Sequence, residues 1–136
     1  MTSFMGKDSG DAADSAALDV CAAIQAHVQW KQRLLAYIRG EGDEKLDPEV
    51  VGSDCICALG QWIYGAGGVH YGEHPKFQSL KSIHTDFHRY AADVVIAVHR
   101  GDEVHALKLL QHGEYPKVSN RIKSMLAGLS LEFDFS

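Results

Sequence analysis

The sequence predicts an all-α protein, an antiparallel four-helix bundle with a broken or additional short C-terminal helix, and three observations carry that reading. Apolar residues recur at three- and four-residue spacings over long stretches, as they must to line one face of a helix. Pro48, Pro75 and Pro116 all fall at positions that suit a helix start, and none interrupts a helical pattern. Gly40, Gly42, Gly101 and Gly113 stand where such patterns end. With 136 residues, 46% of them apolar and 23% charged, the chain fits one globular domain.

Taken in order, residues 1–13 are small, acidic and without apolar period, and are expected to form a flexible tail preceding a single domain over 14–136. A first helix is expected from Asp14 or Ser15 to Gly40, with Val20, Ile24, His27, Trp30 and Leu34 on one face. Asp47-Pro48-Glu49 supplies an N-cap, a first-position proline and an acid in the first turn, so a second helix is expected to run on to about Tyr64. Gly65 to Gly72 holds four glycines in eight residues and reads as a loop. Pro75 opens a third helix to about His99. It carries two apolar faces: Phe77, Leu80, His84, His88, Ala91, Val95 and Val98 on one, Ile83, Phe87, Tyr90, Val94 and Ala97 on the other. A short helix from Asp102 to about Gln111 follows. Gly113 and Pro116 separate it from an amphipathic segment with Val118, Ile122, Met125, Leu126 and Leu129, and the alternating residues 129–135 are expected to pack as an extended tail.

Charge and composition exclude several functions. Lys and Arg number 13 against 18 Asp and Glu, a net charge of −5, and no basic run offers a track for phosphates, so no nucleic acid is expected as a partner. No apolar run reaches the roughly 18–20 residues of a membrane span. Three cysteines, 21, 55 and 57, make an odd set with no secretory leader, which favours a reducing, cytoplasmic setting. Eight histidines mark where the chemistry lies.

His84 and His88, four apart, project from one helical face and can share a metal ion, although surface pairs at that spacing are common. His27 lies on an apolar face, where a lone histidine is more often a hydrogen-bonded core residue than a ligand. Cys57 reads equally as a buried inert thiol or a ligand. Gly60, one turn on, would let another helix approach its sulfur, and Asp54, one turn back, could hydrogen-bond a ligating imidazole or simply be solvated. Cys55, about 200° round the expected helix from Cys57, cannot share an ion with it. Cys21 is expected to pack within the first helix, and His70 and His74 to be solvated.

The segments His27-Val28-Gln29-Trp30, Cys57-Ala58-Leu59-Gly60-Gln61-Trp62-Ile63-Tyr64 and His84-Thr85-Asp86-Phe87-His88 together resemble the chemoreceptor zinc-binding domain family. The resemblance spans about residues 15–129. It implies one zinc ion held by His27, Cys57, His84 and His88 from three helices of a four-helix bundle, and a homodimer that reports zinc or oxidants to a signalling protein partner. No methyl-accepting coiled coil or cyclase motif accompanies it here. Three imidazoles and a thiolate suit zinc over calcium or magnesium and leave no open position for a catalytic water, so no enzyme is expected. Two alternatives stand beside this reading. One is a purely structural zinc module that stabilises a dimer. The other is a di-iron, hemerythrin-like bundle, against which the absence of any Glu-x-x-His pair argues.

Overall fold

The structure, a computed structural model, describes residues 18–133. The described residues form seven helices: α1 (Val20–Arg39), α2 (Pro48–Val51), α3 (Ala58–Tyr64), α4 (Ala66–Tyr71), α5 (Pro75–His99), α6 (Glu103–His112) and α7 (Glu114–Phe133). No strand occurs among the described residues. The expected tail over 1–13 lies outside them.

The helices stand in four columns that alternate in direction. His27 meets Phe87 and Tyr37 meets His99, so α1 and α5 run the same way. Between them the chain returns through α2 and α3: Leu46 lies beside Tyr37, Val51 beside His88, and Trp62 beside Phe77. The fourth column is α6 followed by α7, antiparallel to α5, with Tyr115 stacked near Phe87 and Met125 and Leu129 sharing a cleft with Lys76. This is the expected antiparallel bundle with a broken last helix. Its core is one cluster that includes Leu34, Leu59, Leu80, Phe87, Val94, Leu110, Ile122 and Leu126.

Capping explains most boundaries. Asp19 accepts from the Ala22 N–H and starts α1 at Val20, later than the expected Asp14 or Ser15; residues 14–17 lie outside the description. Gly40, in the left-handed region at φ 71°, ends it. Asp47 caps α2, with Pro48 at its first turn, and Asp102 caps α6.

Four expectations are corrected. The second helix is not continuous to Tyr64: it breaks after Val51 and resumes at Ala58. Gly52, Ser53 and Asp54 are weak helix formers, and the Val51 carbonyl accepts a hydrogen bond from His88 instead of one from its own next turn. The glycine-rich stretch forms α4 rather than a loop, because Gly67 packs on the Trp62 indole so closely that a Cβ would lie 2.6 Å from the ring. Pro116 sits inside the first turn of α7, where its missing N–H costs nothing. Residues 129–133 continue that helix rather than extending, and 134–136 lie outside the description.

Most of both apolar faces of α5 is covered within one chain, with Ile83, Tyr90 and Val98 half-buried. Phe87, Val94 and Ala97 are buried as fully as Leu80, His84 and Val95. The fourth column, α6 and α7, packs along α5.

Candidate metal centre

Three imidazoles meet at mid-height of the bundle. His27 projects from α1, and His84 and His88 from successive turns of α5; they are at most 2% exposed. Cys57 reaches the same point from the returning column, as the N-cap of α3 rather than from within a helix, with its sulfur accepting from the Gly60 N–H at 3.4 Å. The break in that column lets a cysteine face the histidines from a helix end.

The Cys57 Sγ lies 3.3 Å from His84 Nε2 and 3.6 Å from His88 Nε2, and the two Nε2 atoms are 3.1 Å apart. The three histidines each offer a ring nitrogen within 4.8 Å of the others. The outer faces of two rings are fixed by the backbone: His27 Nδ1–H donates to the Ala23 carbonyl at 2.7 Å, and His88 Nδ1–H to the Val51 carbonyl at 2.8 Å. Each of these rings therefore turns an unprotonated Nε2 inward. His27 Nε2 is buried with no hydrogen-bond partner, as is His84 Nδ1.

Burial sets the protonation states. It holds all three imidazoles below their ordinary 6.5, His84 down to about 3, with the neighbouring His88 and His27 adding to the effect on His84. Burial also pushes the Cys57 thiol up, against the opposing pull of the Gly60 N–H. Without a metal the cluster is neutral.

Zinc–nitrogen bonds of about 2.0–2.1 Å and a zinc–sulfur bond of about 2.3 Å at tetrahedral angles would set nitrogens roughly 3.3 Å apart and nitrogen from sulfur roughly 3.6 Å. The spacings among Cys57, His84 and His88 match those edges, and His27 Nε2, buried without a hydrogen-bond partner, lies in the same histidine cluster. The sequence model of the chemoreceptor zinc-binding domain matches residues 27–95, just over half of the 136-residue chain. The chain belongs to that family. Zinc is accordingly its metal, and the family is regulatory rather than catalytic. Neither the comparison with characterised proteins nor that with solved structures found a match. In this chemoreceptor zinc-binding domain the histidine cluster among the described residues is made of His27, His84 and His88, whereas a di-iron bundle is built on several inward carboxylates. None of the described helices is long and apolar enough to cross a membrane.

A cavity of about 450 Å³ opens onto the centre, with Cys57 and His88 in its wall alongside Trp30, Val50 and Ile56. At its rim Arg33 lies over the Trp30 ring and pairs with Glu44.

The surroundings differ from expectation in several respects. Gly60 is required not by an approaching helix but by the Asp54 carbonyl, which a Cβ would meet at 2.0 Å. Asp54 bonds no imidazole: its Oδ2 accepts from Tyr64 OH and from Thr85 Oγ1, both at 2.6 Å. Burial raises its carboxyl, but those two hydrogen bonds outweigh that and hold it below the usual range. Cys55 stands in the irregular segment rather than on a helix, exposed and 3.3 Å from Ser53 Oγ. Cys21 is exposed on α1 instead of packed within it. His70 is exposed, as expected, and His74 is half-buried, with its Nδ1 accepting from the Lys76 N–H to cap α5. Tyr64 and Thr85, and the Val51 carbonyl, are parts of the site that sequence reasoning did not single out. Both side chains lie inside the family segments, but only contact across the bundle gives them a role.

Proposed function

We propose that the domain binds one zinc ion through His27, Cys57, His84 and His88 and reports zinc availability or oxidants through Cys57, acting as a homodimer on a signalling protein partner. The observation that carries this reading is the asymmetry of the donors. Three imidazoles stand on the long helices α1 and α5, whereas Cys57 stands where an irregular segment meets the seven-residue α3, beside an open cavity. A helix that short has little stability of its own.

Bound zinc would hold Cys57 as a thiolate, the form that oxidants attack. A peroxide-type oxidant transfers one oxygen atom to Sγ and leaves as hydroxide, so that the thiolate becomes a sulfenic acid. Cys57 then no longer supplies a charged donor, and residues 52–64 lose the tie that the metal would add to the contacts Asp54 and Trp62 make with α5. The bundle persists, since its core is built by helix packing and not by the metal.

Elemental analysis tests the ligand set. Wild-type protein should carry one zinc per chain, His84→Ala and Cys57→Ala should retain far less, and Cys55→Ala should retain it fully. Iron in place of zinc, or full retention by Cys57→Ala, would overturn the reading. A purely structural module would keep its zinc when treated with peroxide.

A further inference from the structure

Asp54 lies in the irregular segment between α2 and α3, three residues before Cys57. Its carboxylate bridges two elements: Oδ2 accepts from Tyr64 OH at the end of α3 and from Thr85 Oγ1 on α5, each at 2.6 Å. Thr85 Oγ1 is also 3.0 Å from the Lys81 carbonyl, but a hydroxyl has one proton, and an ionised carboxylate takes it in preference to a neutral carbonyl. The backbone of Asp54 is fixed as well. Its carbonyl rests on Gly60, whose N–H points at the Cys57 sulfur at 3.4 Å. Asp54 thus meets α3 and α5 through its side chain and the start of α3 through its carbonyl, while hydrogen-bonding none of the histidines.

We propose that Asp54 is a positioning residue for Cys57: its carboxylate fastens the irregular segment to α3 and α5 together, and so holds the sulfur against His84 and His88. The physical need is entropic. A segment with no helical ladder has many conformers, and a donor offered from it meets the histidines only in the fraction of time it is correctly placed. The negative charge of Asp54 does not do this work, since a carboxylate near a thiol opposes thiolate formation. Its two short hydrogen bonds do.

The inference rests on Cys57 belonging to the zinc centre, and its test separates the two. The double variant Tyr64→Phe/Thr85→Val keeps the carboxylate and removes both of its donors. In metal-free protein, alkylation of Cys57 by iodoacetamide, followed site by site by mass spectrometry with Cys21 as internal reference, should run several-fold faster than in wild type while Cys21 is unchanged. In zinc-loaded protein, release to a chelator should quicken several-fold. Thr85→Ser, which keeps the hydroxyl, should leave both rates at the wild-type value. A wild-type Cys57 alkylation rate in the double variant overturns the proposal, and so does equal acceleration at Cys21 and Cys57, which is general loosening. If the double variant loses its helical circular dichroism, Thr85→Val alone is read in the same way. Zinc retention by Cys57→Ala would refute the ligand assignment, whereas the metal-free alkylation judges Asp54 regardless.

Discussion

Gly60 carries the tightest steric constraint near the centre. It occupies the third position of α3, where alanine would ordinarily improve a helix by about 1 kcal/mol. Here a Cβ would stand 2.0 Å from the Asp54 carbonyl oxygen, a backbone atom that cannot turn aside. Overpacking of this kind costs about 1–3 kcal/mol, more than the propensity gain. Gly60→Ala should therefore lower the denaturant midpoint of the metal-free protein and also weaken zinc retention, because the displaced segment carries Cys57. A midpoint at or above the wild-type value would show that the segment yields at no cost. Gly67, set against the Trp62 indole, explains in the same manner why a glycine can be worth more than a helix former.

At the scale of elements, the columns differ in how firmly they are held. α1 and α5 are 20 and 25 residues long, buried along one or both faces, and their far ends are joined by Tyr37 OH and His99 Nε2 at 2.6 Å. The returning column is two short helices, of four and seven residues, with six residues between them that form no regular ladder. Local opening concentrates in such segments. Hydrogen exchange compared between zinc-loaded and chelated protein should show faster exchange over 52–64 after chelation, with α5 little changed. Identical protection over 52–64 in both states would remove the proposed switch, and exchange rising everywhere would leave zinc a structural role.

For the molecule as a whole, three neutral imidazoles at the centre of a bundle link stability to pH. Folded His84 resists protonation until about pH 3, while the unfolded chain takes up that proton near 6.5. Between those limits the unfolded state binds more protons, so stability falls as pH falls, and the loss begins below 6.5. Burial depresses His27 and His88 in the same direction and adds to the loss. Metal-free protein should melt at a lower temperature at about pH 5 than at neutral pH. A melting temperature that is flat or rising on acidification would mean that the imidazoles are not buried together. Association is the second property of the whole chain. With most of both faces of α5 covered internally, the apolar surface left for a twofold contact includes Val50 and Ile56, each 52% exposed at the cavity rim. Light scattering at micromolar concentration should give the mass of a dimer, and Ile56→Asp should shift it toward the monomer. A monomeric wild-type mass would refute the dimer.

Relations within a segment are legible in the sequence, because helical spacing alone carries them. The stripe through Leu80, His84, His88 and Val95 places two imidazoles together on a buried face, and Pro75, Asp47 and Asp102 mark helix starts that the structure keeps. The three family segments likewise name the histidines and the cysteine without coordinates. Contacts between segments are not legible in this way. Residues 48–64 carry start signals for a helix, and Gly52, Ser53 and Asp54 only weaken it locally; the bond of His88 to the Val51 carbonyl and the seating of Asp54 on Thr85 and Tyr64 hold the chain open ahead of Cys57. Residues 66–71 look like a loop until Trp62 supplies the surface on which Gly67 closes a helix. In each case the deciding partner is packed against a residue whose own neighbours favour another outcome, and tertiary packing outweighs a local preference worth about 1 kcal/mol or less per residue.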